Sequence, residues 1–531
     1  MFFSRPRALN RSFNQWLIAS IALLGCSGRV QSSCETNDQC ASSAGPPRAS
    51  GGSGGTASQG TELGMSGNRM SGGGKSGTAG KGATAPVDAR SDSQAATIAG
   101  HANGGASNSA GSETVVGGTA AGGIFSSGGA IAIGGTAGNE AAAPTGWCAT
   151  PYCIFGTPSP DGALAVAVDG SGNSYVAGIT NGALASANAG AADVFVRKFD
   201  AGGATVWTRQ FGSEKDDFAS SIAVDSDGNV YVAGDTYGSL AGASAGSADS
   251  FLRKLDKSGT TIWTRQFGSR GPEQLGAVTL DVSGNVYVAG STYPTGNQSS
   301  GDPYVRKFDA SGGTLWAKQF GGADEDEAEA VAVDAAGNVY VAGWTYDLIP
   351  DSKLGSWDAF VRKLDANGAA LWTRVFGTPD ADVIEVAAVD GEGNLYVAGS
   401  TGNALAGPSF GSLDAFVRKF DPSGATLWTR QIGTSGYDYG AGLGVDGSNN
   451  VYVVGSTDAA FAGSSAGLQD VFIRKLDKSG STLWTKQIGT ASDEAARGAT
   501  ADAEGSVYAV GAQGDAVQGD AFLLRISGQA P

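Results

Sequence analysis

The sequence predicts an all-β fold, a seven-bladed β-propeller of four-stranded blades in which strands from the two ends of the domain pair to close the ring. Three observations predict it. A tyrosine in runs like Val-Tyr-Val-Ala-Gly recurs at Tyr175, Tyr231, Tyr287, Tyr340, Tyr396, Tyr452 and Tyr508, in steps of 56, 56, 53, 56, 56 and 56 residues. Each unit holds four short apolar or alternating runs divided by Gly/Asp/Ser turns, with no useful length of helical periodicity. Repeats of four strands at this period are propeller blades. The tryptophan of Leu-Trp-Thr-Arg-Gln-Phe-Gly, by contrast, recurs only six times, which leaves one blade a strand short.

The second unit gives the strands in order: Ser-Ser-Ile-Ala-Val-Asp (a), Asn-Val-Tyr-Val-Ala-Gly-Asp-Thr (b), Ser-Phe-Leu-Arg-Lys-Leu-Asp (c) and Thr-Ile-Trp-Thr-Arg-Gln-Phe-Gly (d). The last unit stops after its c strand, at residues 520–527, while the isolated piece Cys153-Ile-Phe-Gly156 matches only the end of a d strand. The N-terminal piece therefore completes the last blade, and closure hides sheet edges that would otherwise invite aggregation.

The ordered motifs D-x-x-G-N-x-Y-V-A-G-x-T, D-A-F-V-R-K-x-D and L-W-T-R-Q-x-G resemble the bacterial SBBP-type β-propeller repeat, and more distantly NHL repeats. The resemblance covers residues 153–527 and implies a seven-bladed ring. It implies little about activity, since a scaffold hosts many functions.

Seven internal copies separate scaffold from site. A residue present in every blade does one job seven times, so a ligand site belongs among residues that differ. The aspartate six residues before each tyrosine, as in Asp225-Ser-Asp-Gly-Asn-Val-Tyr, begins like a calcium loop. Calcium needs roughly six to eight converging oxygens, yet a second carboxylate occurs only at Asp227, Glu392 and Glu504. The stretch is read as the turn between strands a and b, with Gly or Asn at positive φ. No metal or cofactor is expected. The repeated Arg-Lys pair of strand c is read as charged heads at the outer blade edge, partly paired with carboxylates, and the tryptophans as packing between blades.

The variable parts are the d–a and b–c loops, which share one face if strand a is innermost. They carry Asp216, Asp217, Asp324, Glu325, Asp326, Glu327, Asp380 and Asp382, with Trp344 and Trp357 among irregular aromatics; these ten residues form the candidate ligand face. Residues 147–531 hold 25 Lys and Arg against 44 Asp and Glu. Such a domain repels nucleic acid and anionic membrane surface and suits cations or basic partners. The single histidine, His101, lies before the repeats, so they contain neither a Ser-His-Asp triad nor a Cys-His dyad. An enzyme is not expected; a carboxylate pair cleaving polysaccharide is the catalytic alternative, and a purely structural envelope protein is the third reading.

The N-terminus carries Arg5, Arg7 and Arg11 before the apolar run Trp16–Leu24 and Leu23-Leu24-Gly25-Cys26. This is the pattern of an export signal too short to span a bilayer. It resembles the lipobox of bacterial lipoproteins, which implies a lipidated Cys26, and Ser27 implies delivery to the Gram-negative outer membrane. The expected organisation is a signal peptide over 1–25, a flexible Gly/Ser/Ala-rich tether over 26–146 and the propeller over 147–531. Cys34, Cys40, Cys148 and Cys153 form two close pairs in an exported chain, read as two small disulfide loops. The chain is thus expected to be an exported, membrane-anchored binding module for an unidentified protein, glycan or cation.

Overall fold

A computed structural model describes residues 125–126, 152–295, 300–348, 354–461, 465–514 and 519–528. The expected leader, almost all of the tether, and Cys26, Cys34, Cys40 and Cys148 lie outside the described residues. The two-residue strand Phe125–Ser126 pairs antiparallel with Ala387 and Ala388.

Seven antiparallel sheets, each with four strands from the repeats, follow one another in chain order. The first blade is Asp161–Val168 (a), Ser174–Thr180 (b), Asp193–Phe199 (c) and Thr205–Phe211 (d). The other a strands are Asp217–Val224, Glu273–Leu280, Asp326–Val333, Asp382–Val389, Asp438–Val445 and Glu494–Ala501. Each a strand touches the a strands of both neighbouring blades, the last meeting the first, so these strands ring the axis. In the seventh blade the fourth strand is Tyr152–Phe155, which pairs with Asp520–Ile526 in the register Tyr152↔Leu524 to Phe155↔Ala521. The predicted closure is present. Cys153 within it is disulfide-bonded.

The repeated aspartate is a turn residue and more. Asp225 Oδ1 accepts the backbone N–H groups of Asp227 (3.1 Å) and Asn229 (2.8 Å), while Oδ2 accepts Asn229 Nδ2 (2.8 Å) and the Tyr231 hydroxyl (3.2 Å). Gly228 turns the corner at φ 80°, and where the sixth blade has no glycine Asn449 does so at φ 63°. Both carboxylate oxygens are occupied by donors, and the Lys254 ammonium lies 3.9 Å from Oδ2. That environment repels a metal cation.

The strand-c lysines correct the sequence reading. Their heads are paired with carboxylates, as expected, but are not at the outer edge. Lys363 and Lys419 are each 5% exposed, and Lys419 Nζ stands 4.6 Å from the Tyr396 ring centroid and 3.2 Å from Asp390 Oδ2. Desolvated ammonium on an aromatic face gains more than an exposed one. The alternation along strand c turns these lysines inward, toward the Tyr–Asp pair of strand b and its turn. The tryptophans do join blades: Trp207 Nε1 donates to Lys257 O of the next blade (3.1 Å), and Arg209 beside it donates to Gly259 O (3.1 Å) and Ser258 O (2.8 Å).

Candidate functional site

Every a–b pair contains a register shift that leaves the fourth residue of strand a unpaired with strand b. Such a bulge bends the strand and re-aims one side chain. The bulge residues are Leu164, Ser220, Gly276, Glu329, Glu385, Ala441 and Arg497. They sit at equivalent positions on the axial strands, near the end where the d–a loops enter, and no charged residue occupies more than three of them. Here the repeats diverge most sharply in chemistry.

Glu329 of the fourth blade is 9% exposed, and its Oε1 accepts no hydrogen bond from the described residues. Glu327, two residues earlier, is 4% exposed and accepts the hydroxyl of Tyr293 from the third blade. Burial raises the carboxyl pKa of both, and for Glu329 the neighbouring carboxylates Glu327 and Glu385 push it well above the ordinary range. Glu385 of the fifth blade is pushed up to about 7 by burial, opposed by the Arg497 guanidinium. Burial lowers Arg497 to about 10, with Glu385 acting the other way. Three carboxylates and one guanidinium thus influence one another across the axial mouth, with an excess of acid.

The ten residues expected from sequence divide into four groups. Asp217, Asp326 and Asp382 begin their a strands and are fully buried. Each accepts the backbone N–H of the residue four positions earlier: Ser213 at 2.5 Å, Gly322 at 2.6 Å and Thr378 at 2.6 Å. An equivalent acid starts every a strand, so these three hold their loops instead of facing a ligand. Trp344 and Trp357 also turn inward: their rings pack 4.9 Å apart, and they are 6% and 9% exposed. Little face remains for stacking a sugar, because Trp344 lies on strand b opposite Glu327 and is covered by its own b–c loop. Asp324 and Asp380 remain exposed on the rim, the latter accepting Asn403 Nδ2 at 2.8 Å, while Glu325 and Asp216 are half-buried. Asp216 accepts the Ala192 N–H at 3.2 Å. Only Glu327 among the ten reaches the buried mouth. Glu385 and Arg497 escaped the sequence reading because they stand alone inside strand runs; aligning the repeats on the a strand exposes them as the charged members of a mostly small or apolar column.

Asp235 is a further perturbed acid near this rim. Its oxygens accept the Leu275 N–H, each at 3.0 Å, and the Ser250 hydroxyl at 3.1 Å. The equivalent residues Ser291, Ser400 and Ser456 make the same inter-blade bond with a hydroxyl. Burial raises Asp235 to about 8, against roughly 3.9 in an unfolded chain. Its folded form retains a proton, so the associated stability is full below the unfolded value and is lost as pH rises through about 8. Asp235→Ser, which restores the hydroxyl of the other blades, is expected to flatten the fall of melting temperature between about pH 4 and 8. Thermal melts across that range check this; an unchanged slope contradicts it.

The SBBP family profile, described as a beta-propeller repeat, matches residues 206–241, 315–350 and 427–461. The chain is 27% identical over 354 residues to "Regulatory protein FlaEY" of Caulobacter vibrioides, an alignment covering 55% of this chain and 36% of that protein. It is 22% identical over 406 residues to a WD repeat-containing protein of Acanthamoeba polyphaga mimivirus, covering 56% of this chain and 29% of the other. The chain therefore spans about a third of the length of the curated relatives it matches. Among solved structures, Sqt1 from Chaetomium thermophilum is similar at 12% identity and TM-score 0.37, with 70% of this chain and 97% of that one covered. A gluconolactonase of Xanthomonas campestris is similar at 14% identity and TM-score 0.29, with coverages of 63% and 82%. The profile matches three alternate repeats and the structure closes seven blades, so the chain is a seven-bladed propeller in which three stretches match the SBBP beta-propeller repeat.

Proposed function

We propose that this chain is an envelope-anchored binding module that engages a positively charged partner, protein, glycan-associated or free cation, through the d–a/b–c face of its propeller. The observation that carries the reading is the concentration of non-repeated acids at one mouth of an otherwise repetitive ring: Glu327, Glu329 and Glu385 within it, Asp324 and Asp380 on its exposed rim. Charges focused at a concave mouth steer oppositely charged partners. The Trp16–Leu24 run and Cys26 support export and lipid attachment, and the Gly/Ser-rich segment that follows gives the propeller reach from the membrane.

The test is a screen of the full chain against basic proteins and a glycan array, with salt competition, alongside labelled-palmitate incorporation in cells expressing wild type and Cys26→Ser. Salt-sensitive capture and Cys26-dependent labelling support the reading. Turnover of a polysaccharide, lost in Glu329→Gln, would replace it with carboxylate catalysis. Failure to capture anything, with co-purification of envelope proteins, would replace it with a structural role.

A further inference from the structure

We propose that the axial mouth receives a primary ammonium group on a slender chain, as carried by a lysine side chain or a polyamine, with Glu329 and Glu385 as its acceptors. This rests on the reading that the acidic face is the binding surface.

Three features lead there. First, Glu329 is nine-tenths buried yet presents an oxygen, Oε1, that no group among the described residues satisfies. A buried acceptor without a partner is costly unless something arrives to fill it. Second, the acids outnumber the base. Glu327 accepts the Tyr293 hydroxyl and shares a hydrogen bond with Glu329, and the charge of Arg497 acts on Glu385, so the buried acid excess centres on the Glu327–Glu329 pair. A cationic ligand offsets that excess. Third, the other bulge residues of the column include Ser220 and Ala441, whose side chains are short and offer little bulk to a thin chain.

The type of cation follows from the acceptors. Among the described residues, no three His, Cys, Asp or Glu side chains are disposed to hold one metal ion, and calcium needs roughly six to eight oxygens. A guanidinium matches a coplanar pair of acceptors, whereas Glu329 offers a single free oxygen. An ammonium has three donors radiating from one atom and suits single acceptors on separate strands. Asp324 and Asp380, in the d–a loops that precede the Glu329 and Glu385 strands, are exposed and add negative charge at that end of the propeller. Because Glu329 holds its proton above the ordinary range, through burial and neighbouring acids, cation binding displaces a proton to solvent.

Isothermal titration of the full chain with spermidine, with an acetylated Gly-Lys-Gly amide and with its Gly-Arg-Gly counterpart tests this. The expected result is binding of at least one amine in preference to the arginine peptide, about tenfold or more weaker in Glu329→Gln. Proton release should also appear, read from two buffers of different ionisation heat. Spermidine alone binding identifies a polyamine, and the lysine peptide alone a protein partner. Melting temperatures verify that the variant is folded, and Glu385→Gln provides a second, independent loss. The proposal is overturned if neither amine binds, if both bind the variants as tightly as wild type, or if calcium binds instead. Should amines fail while the full chain still captures a salt-sensitive partner, the ammonium inference falls and the binding reading stands; if capture fails as well, both fall.

Discussion

Replacing Asp390 by alanine lowers the unfolding free energy by about 3–5 kcal/mol, the cost of leaving a buried cation without its counter-charge. Asp390 is 3% exposed and gathers five donors: the backbone N–H groups of Glu392 (3.0 Å) and Asn394 (2.8 Å), Asn394 Nδ2 (2.9 Å), the Tyr396 hydroxyl (3.1 Å) and Lys419 Nζ (3.2 Å). Alanine frees all of them at once, and Lys419, 5% exposed over the Tyr396 ring, pairs with no other carboxylate among the described residues. Urea unfolding of the Asp390→Ala variant measures the loss. A companion, Lys419→Met with Asp390→Asn, removes both charges while keeping volume, and should recover much of the stability because a neutral pair carries little desolvation penalty. A loss below about 1 kcal/mol for alanine, the scale of an exposed pair, would contradict the buried-node reading.

Breaking the closure strand is expected to cost as much. Tyr152 is 1% exposed, packs 4.9 Å from Phe522 at 59° and donates its hydroxyl to Ile488 O of the sixth blade at 2.7 Å. It thus joins the N-terminal strand to the C-terminal one and the seventh blade to the sixth. Tyr152→Ala should cost about 3–5 kcal/mol from the aromatic cavity alone, with further loss from the unsatisfied Ile488 carbonyl. Opening of the ring distinguishes this from an ordinary core defect: amide exchange should accelerate first in Asp520–Ile526 and Val507–Gln513, the strands that flank the closure. Uniform acceleration through all seven blades would contradict a local seam.

The repeat made the scaffold readable. Strand order, blade number, closure and the turn role of Asp225 all follow from residues that recur at one period, because each recurrence repeats one local solution of turn, strand and inter-blade bond. Burial was less readable. Asp217, Asp326 and Asp382 looked like loop acids, yet each begins an axial strand and clamps its own loop, a role visible only once strand starts are fixed. Trp344 and Trp357 looked like irregular surface aromatics, but the b–c loop folds them onto each other. The charged column of Glu329, Glu385 and Arg497 comes from three blades far apart in sequence. Its convergence depends on the bulge that turns one residue per strand away from the sheet, and a bulge leaves no distinct pattern of residues.

The central claim is that non-repeated acids on one face form the binding surface, while the rest of the acidic charge is scaffold or solubility. Binding of poly-lysine to the full chain at about 0.15 M salt tests it with two variants of equal charge change. One is Asp324→Asn with Asp380→Asn on the exposed rim of the mouth; the other is Asp227→Asn with Glu504→Gln on the exposed a–b turns of the opposite face. The expected result is a clear loss of affinity for the rim variant and an affinity near wild type for the opposite-face variant, both with unchanged melting temperature. Equal loss in both would show that net charge alone attracts the probe, and would contradict a binding face.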